Sequence, residues 1–142
     1  MPADRVEIID QSVEKTHVWL NELAAELGSE DQRYAYRVLR AVLHAVRDRL
    51  TVDEAAQLAA QLPELIRGIY YEGWDPSRTP ARYHDSKPFL DRIASEALLG
   101  GDSEASYAAQ AVMDVLRHHI SAGELEQVLG MLPPRVRAVL RK

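Results

Sequence analysis

Ala35-Tyr36-Arg37-Val38-Leu39-Arg40-Ala41-Val42-Leu43-His44-Ala45-Val46-Arg47-Asp48-Arg49-Leu50 is the stretch that decides the fold. Its apolar residues Ala35, Val38, Leu39, Val42, Leu43, Val46 and Leu50 recur at steps of three and four. That is one buried stripe of a 3.6-residue period. Upstream, Leu20, Leu23 and Leu27 make a shorter stripe of the same kind. Alternation of period two is missing and β-branched residues are sparse, so the chain reads as all-α.

Punctuation divides it into helices. Gly28 suits the left-handed position after a helix, and Ser29 with Gln32 reads as a capping box. Thr51 with Glu54 and Ser121 with Glu124 read as two more boxes. Pro63 and Pro133 suit a first helical turn, where a missing N–H costs nothing. The pattern predicts helices over residues 12–27, 30–50, 52–61, 63–72, 87–98, 103–120, 122–131 and 133–141.

Adding 70 to each number aligns residues 19–72 on 89–142 without a gap, with 12 of 54 positions identical. Thr51/Ser121, Glu54/Glu124 and Leu62-Pro63/Leu132-Pro133 fall in register. We read a tandem duplication of a four-helix unit, packed as one compact helical bundle. Residues 1–142 form a single domain of two repeats, about 12–72 and 87–142, joined by an aromatic and proline-bearing linker at 73–86. Each half is small to stabilise alone, so the two should share a core.

The chain has 142 residues, a formal net charge of −5, 46 % hydrophobic and 27 % charged residues, and no cysteine. The composition is that of an ordinary folded protein. Absence of cysteine excludes disulfides, thiolate metal sites and cysteine nucleophiles. The start of the chain lacks a basic segment followed by an apolar run, and no apolar stretch approaches the ~18 residues of a membrane span. A cytoplasmic protein is expected.

The run from Leu39 to Leu50, leading into Ala59-Ala60-Gln61-Leu62-Pro63-Glu64-Leu65-Ile66-Arg67-Gly68-Ile69-Tyr70-Tyr71-Glu72-Gly73-Trp74, resembles the bacterial domain of unknown function family 2267. The later Phe89-Leu90 and Gly123-Glu124 … Leu132-Pro133 extend the resemblance over nearly the whole chain. It implies a small all-helical protein with no established activity and carries over no catalytic residue.

Two constellations are candidate binding sites. Arg33, Arg37, Arg40, His44 and Arg47 share one face of the second helix, a basic ridge able to meet phosphates or an acidic partner. The plainer alternative is internal pairing. Residues 1–31 hold eight acids and two bases, residues 32–50 five bases and one acid. An acidic first helix beside the basic second one would then neutralise the ridge. The second half does not keep the ridge, having Tyr107, Gln110 and Asp114 for Arg37, Arg40 and His44. Arg47/Arg117 and Arg67/Arg137 recur in both halves, and a structural role at helix C-terminal carbonyls is expected of them. The other constellation is the linker, with Tyr70, Tyr71, Trp74, Tyr83 and His84. It reads as a ligand pocket, a partner anchor or an aromatic seam over the joint.

Metal and cofactor chemistry is not expected. His118 and His119 are adjacent and leave a helix about 100° apart, which argues against joint chelation. His44 with Asp48, and Glu14 with His17, lack further ligands. There is no phosphate-cradling glycine loop and no nucleophile elbow, so no enzymatic activity is expected. The leading expectation is a non-catalytic interaction or regulatory module with a protein partner. The alternatives are a nucleic-acid or acidic-partner binder using the ridge at 33–47, and a small-molecule sensor with a pocket near Trp74.

Overall fold

In the computed structural model, which describes residues 5–141, the stripe of Ala35 to Val46 lies on helix α2 (Gln32–Asp48) and is buried along its whole length. Eight α-helices are described, and no strand occurs among the described residues. The others are α1 (Glu7–Glu26), α3 (Val52–Ala59), α4 (Glu64–Tyr71), α5 (Ser86–Ala97), α6 (Asp102–His119), α7 (Ala122–Gly130) and α8 (Pro134–Arg141). A 3-10 turn, Pro76–Arg78, lies in the connection between α4 and α5. The expectations for residues 1–4 and for Lys142 lie outside the described residues.

α2 is central, packing on α1, α4, α5 and α6. Buried side chains of all eight helices, from Trp19 to Leu140, join in one hydrophobic cluster. Among the described residues no helix is long and apolar enough to cross a membrane.

The helix ends differ from the sequence pattern in physically simple ways. α1 begins at Glu7, five residues before the expected start, because its first buried residue is Thr16 and the preceding turns carry no burial signal. Glu7 and Asp10 in its first turn suit the positive end of the helix dipole. Gly28 ends it at φ +68°, with Gly28 N–H donating to Ala25 O (3.0 Å) and Ser29 N–H to Ala24 O (2.9 Å). These are the two bonds of a Schellman motif.

Ser29 is therefore committed to stopping α1 and does not cap α2, against the sequence reading. Asp31 caps α2 instead: its carboxylate accepts from Arg33 N (2.9 Å) and Tyr34 N (3.4 Å). The box at Thr51 and Glu54 forms in both directions. At Ser121 the hydroxyl accepts from Glu124 N at 3.3 Å. Pro63 is the residue before α4 and not its first, with ψ 152°. Pro133 likewise precedes α8, since a residue before proline is pushed out of the helical region.

Candidate functional site

The basic ridge of α2 faces inward, into a joint made by α2, the C-terminus of α4, α5 and the 72–85 connection. Arg37 Nε donates to Ala97 O at the end of α5 (3.2 Å), and its guanidinium lies over the Tyr34 ring. Arg40 donates to Glu72 Oε1 (2.8 Å) and to Glu96 Oε2 (3.1 Å). His44 is 3 % exposed. Its Nδ1 meets Glu96 Oε2 at 2.7 Å and its Nε2 meets Ile69 O at 2.8 Å. Both partners are acceptors when Glu96 is ionised. The doubly protonated ring is the form that makes both bonds at once.

Arg47, 2 % exposed, is the deepest of the set. Nη1 donates to Tyr70 O and Glu72 O, both at 2.8 Å, while Nε and Nη2 grip Asp48 at 2.8 and 3.0 Å. It thus ties α2 to the last carbonyls of α4, which have no partner within their own helix. Only Arg33 of the ridge is exposed and has no ion pair among the described residues.

The ridge is thus paired internally, but not by the acidic first helix. Its acids are Glu72, Glu96 and Asp48, distant in sequence from α1. In α1, Glu22 instead meets His119 Nε2 at 2.9 Å and His118 Nδ1 at 3.6 Å. The adjacent histidines therefore converge on one carboxylate, contrary to the expected divergence. No group of three or more metal-ligating side chains occurs among the described residues.

Arg67 binds Ala59 O and Leu62 O at 2.9 Å each, and Arg137 binds Leu132 O at 3.2 Å, the role expected of them. Arg117 departs from that expectation. It is exposed and pairs with Asp114, three residues back on its own helix.

Asp48 is the hub. Its carboxylate also accepts from Arg92 of α5, and its backbone carbonyl accepts from Ala81 N of the connection at 2.6 Å. Burial alone would raise its pKa, but the bonds from Arg47 and Arg92 outweigh burial and hold it below the ordinary carboxylate range. Glu96 behaves in the same way: burial is offset by the bond to His44 and by the charges of His44, Arg92 and Arg40. Glu72 is lowered by its bond from Arg40.

The linker aromatics have separate fates. Tyr70 is buried and donates to Ala55 O at 2.9 Å. Tyr71 packs between Tyr70 and Trp74, with ring centroids 5.2 and 5.1 Å away. Tyr83 lies under the Arg49 guanidinium at 5.5 Å, and burial pushes its hydroxyl up to about 12. His84 is exposed. Trp74 Nε1, Tyr83 Oη and Arg49 Nε are buried without a hydrogen-bond partner. Arg49, 9 % exposed, donates to Ala81 O and faces no carboxylate among the described residues.

A cavity of about 380 Å³ opens between the connection and the hub, lined by Asp48, Gly73, Asp75, Arg78, Thr79, Ala81 and Arg92. Asp75 is held by Ser77 N and Oγ at 3.1 and 2.6 Å and lies 3.4 Å from Arg78 Nε. Arg49, Glu96, Arg92, Asp75 and Arg78 were not singled out from sequence, and Asp48 was weighed only as a metal ligand beside His44. The available signal was Glu96, identical with Glu26 across the 70-residue offset, and the charged triplet Arg47-Asp48-Arg49 closing an apolar helix. A second cavity, about 410 Å³, lies along α1 beside Lys15, Trp19 and His119. There the indole of Trp19 stacks on His119 with centroids 4.7 Å apart.

The sequence pattern of a family described as "Uncharacterized conserved protein (DUF2267)" matches residues 16–139. No curated protein matches the chain.

Proposed function

The chain belongs to the DUF2267 family of uncharacterised conserved proteins, and we propose that it is a non-catalytic ligand-binding module built around the joint. The ligand site is the cavity under the 73–81 segment, lined by Gly73 and Asp75 but not by Trp74. One observation carries this reading: the cavity wall is Asp48, the residue that also ties α2, α5 and the connection together. A ligand there would touch three elements at once. The carboxylates of the wall are already held by arginines or by Ser77, which makes them weak proton acceptors and favours binding over acid–base chemistry. We place the protein in the bacterial cytoplasm, in keeping with its cysteine-free composition.

A thermal-shift screen of small metabolites tests the reading, because a ligand specific to the native state raises stability. Hits should raise the Tm of the wild type and not of Thr79→Trp, which fills the cavity from its lining. A screen in which no compound separates the two proteins would overturn the proposal.

A protein partner is the second reading, favoured by Ile8 and Ile9, each 59 % exposed, beside the half-exposed Leu65 at the start of α4. Cross-linking that captures a partner through α1, and fails with Ile8→Asp, would support it. Nucleic-acid binding through the ridge is disfavoured by the internal pairing of Arg40, His44 and Arg47. An oligonucleotide titration at low salt, where phosphate contacts are strongest, should show no association.

We further infer that the halves arose by duplication, with the first helix of each packing on the long helix of both. Helices α2/α6, α3/α7 and α4/α8 begin 70 residues apart, at 32/102, 52/122 and 64/134. Arg37 reaches the end of α5, and its counterpart Tyr107 reaches Glu26 O at the end of α1 (2.8 Å). Ile69 O is taken by His44, and the matching Val139 O by Gln110 at 3.1 Å. An experimental structure in which 19–71 fails to superpose on 89–141 would refute this.

A further inference from the structure

We propose that the cavity under the 73–81 segment takes a small oxyanion, a carboxylate or phosphate group, bound by the guanidinium groups of Arg92 and Arg78. The proposal rests on the reading of that cavity as the ligand site and specifies its chemistry.

The charges around the joint do not balance. Arg40, Arg47, Arg49, Arg78 and Arg92 stand against Asp48, Glu72, Asp75 and Glu96. Of these, Arg49 is buried, and its partners are a backbone carbonyl and a tyrosine ring. Uncompensated buried charge is costly, and an anion at the joint reduces that cost.

The carboxylates that line the cavity are occupied. Asp48 accepts three hydrogen bonds from Arg47 and Arg92, and Asp75 accepts two from Ser77. A cationic ligand would have to compete with these donors. Donors, by contrast, are in surplus. A guanidinium carries five N–H groups. Arg92 gives one hydrogen bond, to Asp48, while its Nε lies 4.0 Å from Glu96. Its side chain is 33 % exposed, so the remaining donors are both held in place and reachable. Arg78, with a side chain 86 % exposed, stands at the mouth as a second arm. The planar fork of arginine matches the paired oxygens of carboxylate and phosphate.

The test is a ¹H–¹⁵N titration of the full chain followed at the amides of Gly73, Thr79 and Ala81. The probes are inorganic phosphate and succinate, with spermidine and glycerol as cationic and neutral counterparts, at constant ionic strength. Either anion should shift these amides saturably, and which one binds tighter separates phosphoryl from carboxylate ligands. Arg78→Met, at an exposed position that leaves the fold intact, should weaken binding about tenfold, the loss expected of one charge-assisted contact. Arg92→Lys, which keeps the charge and loses the fork, should weaken it by a similar factor. Shifts with spermidine or glycerol and none with the anions would overturn the oxyanion and leave the cavity as a ligand site. No shift with any probe would overturn both. Anion binding unaltered by both substitutions would place the anion elsewhere and overturn the assignment.

Discussion

Replacing Arg47 with Met removes four hydrogen bonds from the interior while keeping the apolar stem of the side chain. Two of the bonds reach the last carbonyls of α4 and two reach Asp48. Breaking a buried ion pair from one side costs about 3–5 kcal/mol. Each buried carbonyl left without a donor adds about 1–3 kcal/mol. Two features reduce the total: Arg92 still holds Asp48, and Glu72 is exposed, so water can reach its carbonyl. The net expectation is about 4 kcal/mol. For a chain of this size that is a fall in Tm of about 12–15 °C. The control is the residue 70 positions on. Arg117→Met removes an exposed pair with Asp114, worth about 0.5 kcal/mol or less. Urea unfolding of both variants measures the contrast. A loss below about 1 kcal/mol for Arg47→Met, or equal losses for the two variants, would refute the clamp.

Glu96 and Asp48 are held below their ordinary pKa, so the stability they contribute is complete above the unfolded values, near pH 4, and is lost as pH falls through the folded ones. Glu96→Gln should therefore flatten the acid limb of the unfolding curve; an unchanged limb would show that the His44–Glu96 contact is not linked to folding. Leu98 sits at φ 61° with its side chain exposed, where a side chain costs about 1–2 kcal/mol, so Leu98→Gly should be neutral to stabilising by about 1 kcal/mol. A clear loss of stability would mean that the leucine makes contacts not seen here. Thr51→Ala should cost about 1 kcal/mol and Ser121→Ala somewhat less, because only the first cap is reciprocal. Chemical denaturation reads both, and the reverse order would contradict the capping geometry.

Helix identity was legible because burial and periodicity coincide: α2 is buried along nearly its whole length, and its stripe is the clearest in the chain. Where burial fades, so does the signal, which is why the first turns of α1 escaped the reading. Ser29 and Asp31 are equally good caps in isolation. What separates them is the bond from Ser29 N–H to Ala24 O, a consequence of the left-handed Gly28. The basic ridge was visible as a spacing, but its fate was not. Its partners Glu72, Glu96 and Ala97 O lie 32 to 60 residues away, and spacing along one helix says nothing about them. Of the linker aromatics, Tyr71 and Trp74 meet in one cluster with Tyr70, whereas Tyr83 belongs with Arg49 and His84 faces solvent.

The carbonyl at the end of α1 that receives Tyr107 belongs to a helix completed 81 residues earlier. At ordinary elongation rates that gap is about 4–16 s. For this interval on the ribosome the apolar side of α1 has no α6 to cover it. α1 packs on α2 and α4 as well as on α6, and α5 packs on α6 and α8 as well as on α2, so the shared core is complete only when both halves are present. Folding is then a single late event rather than two sequential ones. The halves of a chain cut in the exposed 73–85 connection should find each other in solution and reassemble, as separate strands of a rope do only when both are present.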